Sequence, residues 1–336
     1  MSPPRDPVAS RADDERDLDG VATWEVESVF DRFWVFCYAL LVSSARAFLV
    51  LLGLLILGLQ LLAGAVVGPE VAVFTLLSIV PALALATYVW YADVTTPEPA
   101  SLLAVTFILG ILFAGFAAIL NTGTNAALNE LGLTGGYVGF VFQIATFFVV
   151  VGPVEETVKM LAVYLYAFRS SRFDAVIDGA VYGAVAGLGF ATIENAVYIS
   201  GSVQNISDPL NLLAEGSTIT AVRALAGPGH VIYSAFAGYY LGLAKFNPER
   251  AGPIVLKGIV IAALIHAVYN SLSSVVPGII AFVFNVPWFL AFVGFVVVYD
   301  GILGLVLYWK LDRYRRAYHE TRDDGEHTPE LTEFDA

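Results

Sequence analysis

The chain has 336 residues, of which 58% are hydrophobic and 14% charged, and its mean hydropathy is +0.75. Globular chains carry about 25% charged residues, so these values exclude an ordinary soluble enzyme and place the chain among polytopic membrane proteins. The net charge of −13 with no basic patch excludes nucleic-acid binding, and the single Cys37 excludes both an intrachain disulfide and a zinc site built on several cysteines.

Residues 1–46 read as an acidic N-terminal tail, with nine acidic side chains in the first 33 residues and nothing that resembles a cleavable signal peptide. Val26, Val29, Phe30 and Phe33 share one helical face, which predicts an interfacial helix leading into an apolar stretch, 34–45, too short to cross a bilayer alone. Eight spans follow, near 47–67, 71–92, 100–121, 140–168, 175–200, 217–244, 253–276 and 287–309. The expected fold is therefore an all-α, polytopic membrane helix bundle of about eight transmembrane spans, filling 47–309. Residues 277–286 are short enough to dip in before Pro287, and no internal repeat is evident. Residues 310–336 form a second acidic tail, with eight carboxylates after residue 311. Such ends suit a salt-rich cytoplasm, and they read equally well as solvated tails without a special role.

Lysine and arginine positions set the orientation. All but two of the 17 fall before span 1, between spans 4 and 5, beside the 6–7 connection, or after span 8. With an even number of spans these share one side, which the positive-inside rule makes cytoplasmic, termini included. The multi-pass protein is accordingly expected in the cell membrane.

The two remaining cations, Lys159 and Arg223, lie inside spans together with other polar groups. Span 4 carries Glu155 and Glu156, span 5 Asp178 and Glu194, span 6 His230, and span 7 His266 and Asn270. A charge at the bilayer centre costs roughly 2.5–3.5 kcal/mol on insertion scales, so such residues face a bundle interior or a wet cavity. Glu155 and Lys159 are four apart and can pair, as can His266 and Asn270. Gly179, Gly183 and Gly187 form a small-residue stripe that continues to Phe190 and Glu194, which turns Glu194 toward a packed neighbour. Pro153 and Pro228 stand just before Glu155 and His230, where each frees a backbone carbonyl. His319 and His327, in the C-terminal tail, need no role.

Two imidazoles and three glutamates form a hydrolytic set. A glutamate takes a proton from water, and imidazoles hold a metal or stabilise an oxyanion. Two His and one Glu also make a catalytic zinc set, here His230, His266 and Glu194, although no HExxH segment is present.

The ordered segments "EETVK", "FATIEN", "GPGHVIYSAFAG" and "HAVYN" resemble the PrsW family of intramembrane proteases, distant relatives of the CAAX prenyl endopeptidases and bacteriocin-immunity proteins. The resemblance covers about residues 150–275. It implies peptide-bond hydrolysis with Glu155, Glu156, Glu194, His230, His266 and Asn270 as site residues, acting on a membrane-anchored substrate such as an anti-sigma factor. The CAAX-type relatives carry His where this chain has Glu194. Two rivals stay open at this point: a proton- or ion-coupled transporter built on the same Glu–His chain, and a membrane scaffold that kept the fold without the chemistry. Metal use, the base within the Glu pair, the substrate and the oligomeric state are not fixed by the sequence.

Overall fold

A computed structural model describes residue 26, residues 28–62 and residues 68–326, with only the helical backbone for 322–326. The extreme acidic tails lie outside these. The chain divides into two compact units, residues 1–52 and 53–336, and all packing described below belongs to the second. Eleven α-helices and no strand occur among the described residues.

They are α1 (Val29–Leu62), α2 (Pro69–Ser78), α3 (Val80–Tyr91), α4 (Ala100–Glu130), α5 (Gly136–Thr146), α6 (Gly152–Leu165), α7 (Val176–Val203), α8 (Pro209–Lys245), α9 (Ala251–Ser273), α10 (Val276–Phe284) and α11 (Trp288–Glu326). Residues 29–62 form one helix, so the stretch 34–45 is no separate element, and α10 occupies the segment expected to dip. A π-helical turn, Phe147–Val151, joins α5 to α6. Its position follows from Pro153, which offers no N–H to the carbonyl one turn earlier.

Six helical stretches are long and apolar enough to cross a membrane, and a seventh arises if α2 and α3, bent by 45° at Ile79, count as one span. On apolarity alone this falls slightly short of the expected eight, and the segment left out is α8, 37 residues long.

Helix α7 is the most enclosed of the six. Its glycines are the reason. A Cβ at Gly183 would collide with the Ser234 carbonyl of α8, and one at Gly187 with the His230 carbonyl. Without Cβ atoms the two antiparallel backbones lie in direct contact, as small residues permit in lipid. Helix α4 packs on α7 from another side, with Gly110 against Ala186. Asp178 starts α7 by accepting from the backbone N–H groups of Asp174 and Ala175 at 2.7 and 2.8 Å.

At one end of this unit, Thr96 donates to Asp174 at 2.8 Å, Lys245 donates to the Phe168 and Ser170 carbonyls, and Lys310 lies 4.4 Å over the Tyr239 ring. The arginine-bearing connections are thereby gathered together.

Candidate active site

The intramembrane polar residues converge, apart from Asp178 at the start of α7. Of those that do, Glu156 at 0% and Lys159 at 1% exposed are the least accessible charges. Helix α6 places them three residues apart, and the Lys159 ammonium donates to Glu156 Oε1 at 2.7 Å. Glu155 Oε2 is 3.8 Å from the same ammonium, so the tight pair is i,i+3 and not the expected i,i+4. Lys159 Nζ also lies 4.3 Å over the Phe190 ring of α7 and 2.9 Å from His230 Nδ1 of α8.

Proton positions follow from these partners. An ammonium only donates, so His230 Nδ1 accepts and its Nε2 carries the hydrogen, directed at Glu194 Oε2 at 2.8 Å. Glu156, ionised beside Lys159, only accepts, so His266 Nδ1 donates to it at 2.8 Å and leaves the Nε2 lone pair free. Ser234 closes the arrangement, 3.3 Å from Glu156 Oε2. The two imidazoles stand edge to face with centroids 5.3 Å apart.

Glu194 continues outward. Arg223 donates to it at 2.6 Å and, through Nε, to Asn195 Oδ1 at 2.7 Å. Asn195 in turn donates to Ser78 Oγ of α2 at 2.9 Å. One chain of hydrogen bonds thus runs from Ser78 at the α2–α3 bend to His266 and draws on five helices, α2, α6, α7, α8 and α9.

Glu155 has a different environment. Its Oε1 accepts from Asn121 Nδ2 of α4 at 3.1 Å. Its Oε2 is buried, accepts no hydrogen bond, and faces His266 Nε2 at 3.8 Å. Glu155, Glu194, Arg223, His230, His266 and Asn270 line a cavity of about 480 Å³, whereas Glu156 does not reach its wall. A second cavity, of about 380 Å³, opens on the α4–α7 side and shares Glu155 and Glu194 with the first.

All six expected site residues are therefore at one place, with two differences in role. Asn270 makes no hydrogen bond to His266 among the described residues; Glu156 holds that imidazole instead. The group whose ligand atoms lie within 4.8 Å of one another is Glu155, His230 and His266, with Glu155 where Glu194 was expected, because Glu194 is tied to Arg223. Sequence reasoning missed Asn121, Asn195 and Ser78. Asn195 adjoins Glu194 in "FATIEN", whereas Asn121 opens a loop-like segment and Ser78 lies in an apolar run, so neither of the last two stands out. Asp300 of α11 accepts from Tyr233 at 2.9 Å, and the Tyr233 ring lies 5.4 Å from His266.

This donor set fits a metal. Glu155 Oε2 and His266 Nε2 are unprotonated-side donors without other hydrogen bonds, and Glu156 orients His266 as a carboxylate orients a metal-bound imidazole.

Comparison with known proteins agrees. Proteins named Protease PrsW are similar over most of the chain: that of Shouchella clausii is 26% identical over 72% of this chain and 96% of its own length. The proteins of Geobacillus kaustophilus and Bacillus subtilis are 29% and 27% identical over 59% and 63% of this chain, and 79% and 89% of theirs. No solved structure matches. The family model described as PrsW family intramembrane metalloprotease matches residues 98–301, which contain every residue of the converging polar set from Asn121 to Asn270, and the chain belongs to that family of membrane-embedded proteases.

Proposed function

We propose that this protease cuts membrane-anchored regulatory proteins, of which anti-sigma factors are one class, with Glu155 as general base. The observation that carries the assignment is the difference between the paired glutamates. Glu155 presents an unbonded Oε2 at the cavity, while both oxygens of Glu156 are engaged by Lys159, His266 and Ser234.

His266 and His230, the latter released from Glu194 and from the Lys159 ammonium so that its Nε2 lone pair is free, would hold a zinc ion beside Glu155; the ion would supply Lewis-acid polarisation and a lowered pKa of bound water. The chain's own groups supply the remainder. Glu155 Oε2 accepts a proton from water as its oxygen adds to the scissile carbonyl carbon. The Asn270 amide, one turn from His266 on the same helix, donates to the carbonyl oxygen as it gains charge. The C–N bond then breaks, and the proton held by Glu155 passes to the leaving amine. Glu156 positions His266 and Lys159, and Arg223 keeps Glu194 ionised and aligned.

By the positive-inside rule the arginine-bearing end is cytoplasmic, in a cell membrane. His266 lies 15 residues past the start of α9, about 22 Å from that end at 1.5 Å per residue, so the cut falls in the outer half of the bilayer.

The test is cleavage of a tethered membrane substrate by purified protein, with metal content measured in parallel. Glu155→Gln should lower kcat by about 10²- to 10⁴-fold, as loss of a general base requires. Glu155→Gln turning over like wild type would reject the assignment of the base. Protein that is fully active without bound metal would reject the zinc.

A further inference from the structure

We infer that Asn121 is a substrate-binding residue of this site, which takes a backbone N–H of an extended substrate segment lying across both cavities. The inference rests on the protease reading above.

Four observations carry it. First, the two cavities meet at a short list of polar groups: Asn121, Asn125, Glu155, Glu194 and Tyr198 line both. A polypeptide placed across that junction passes the unbonded oxygen of Glu155. Second, a carboxylate accepts only, so the Asn121 amide must turn its nitrogen to Glu155 Oε1, which directs Oδ1 away. That Oδ1 is buried and has no hydrogen-bond partner. An unpaired buried carbonyl costs about 1–3 kcal/mol, so a native site that retains one gains when a donor arrives. Third, Asn121 and Asn125 are one turn apart on α4 and face the same junction. Side-chain amides spaced this way match the alternating donors and acceptors of an extended backbone and ignore side-chain identity. Fourth, α4 walls the second cavity with Ala114, Gly115, Ala117 and Ala118. These small residues leave room there for a main chain and its side chains.

The substrate class is therefore an extended, unwound segment of a membrane-anchored protein. A helix cannot offer the N–H, because its own ladder uses it. Unwinding before cleavage follows from the same geometry.

The experiment separates this inference from the protease reading. Binding of a fluorescent substrate peptide whose scissile bond is replaced by a non-hydrolysable one is measured with and without Asn121→Ala, using detergent-purified full-length protein. Asn121→Ala should weaken binding about 5- to 20-fold, one hydrogen bond's worth. A scan of singly N-methylated peptides should find one position whose methylation weakens binding to the Asn121 protein and not to the Ala variant. Loss that is merely structural would weaken all peptides alike and leave no such coupled position, which would overturn the inference. Asn121→Gln, which keeps the amide, should restore part of the affinity and holds the test open if the Ala variant misfolds. In the active protein Asn121→Ala should raise KM more than it lowers kcat. If wild type cleaves and Asn121→Ala matches it in KM and in peptide affinity, the inference fails while the protease reading stands. If wild type cleaves no membrane substrate, that reading is what fails.

Discussion

Lys159 is the residue on which the site's charge balance turns. Its ammonium touches Glu156 at 2.7 Å and His230 Nδ1 at 2.9 Å, without water to replace either contact. Removing one partner of a buried pair leaves the other unpaired, a loss of about 3–5 kcal/mol. Lys159→Met should therefore lower the thermal midpoint in detergent sharply and abolish cleavage, since His266 then loses its ionised partner. Adding Glu156→Gln to Lys159→Met should recover stability without activity, because the second carboxylate is no longer charged. A single Lys159→Met protein as stable as wild type would mean the pair is hydrated. The same residue shows what the sequence could convey. Charged side chains in apolar runs advertise a site because lipid tolerates them poorly, so the four motifs were legible. Which glutamate is free was not. Helical spacing makes Glu155 the natural i+4 partner of Lys159, and what overrides it comes from other helices, Asn121 on α4 and His266 on α9.

Helices in this bundle are placed by what their glycines allow. Gly183 and Gly187 on α7 meet α8 backbone, whereas a Cβ at Gly58 or Gly123 would find open space. Gly187→Val should displace the His230 segment and end activity, with the midpoint lowered by a few degrees. Gly123→Ala should leave both near wild type. Equal effects at the two positions would reject close packing as the cause. The stripe itself was readable from its four-residue spacing. The full length of α4 was not: "NTGTNAALNE" has the composition of a loop, yet the helix runs on past its last buried residue, Ala117, through Asn121 to Glu130. The connection ahead of α4 holds a second, separable element of stability. Glu98 is buried and accepts from Tyr182. Burial pushes its carboxyl from 4.5 up to about 8, and the nearby Asp178 and Asp93 push the same way. The folded protein thus keeps a proton that the unfolded chain gives up near pH 4.5. This group's contribution is complete below that value and disappears as pH rises through about 8. The thermal midpoint should fall between pH 6 and 9, and Glu98→Gln should flatten that slope. An unchanged slope in the Gln variant would assign the dependence to another group.

Across the whole molecule, composition alone fixed the class, an all-helical membrane bundle, but overcounted its apolar crossings. The discrepancy is physical. A helix surrounded by other helices need not be greasy, and α8 lies against α7 over its length, from Gly238 beside Gly179 to Arg223 beside Glu194. Hydropathy measures contact with lipid, and α8 has exchanged that contact for glycine-lined contact with protein. The ends give a direct check. Ser171 and Asn247 belong to connections at the arginine-bearing end, while Leu131 and Asn205 lie in connections that carry neither lysine nor arginine. Cys37 is the only cysteine, so Cys37→Ser provides a background free of thiols for single-cysteine labelling. A membrane-impermeant maleimide applied to intact cells should reach Leu131→Cys and Asn205→Cys. It should reach Ser171→Cys and Asn247→Cys only after the membrane is opened. The pair Asn205 and Asn247 flanks α8, so opposite labelling makes α8 a crossing despite its polarity. Labelling of both from the same side would leave α8 folded back within the bundle, and the arginine-bearing segments would then be divided between the two faces of the membrane.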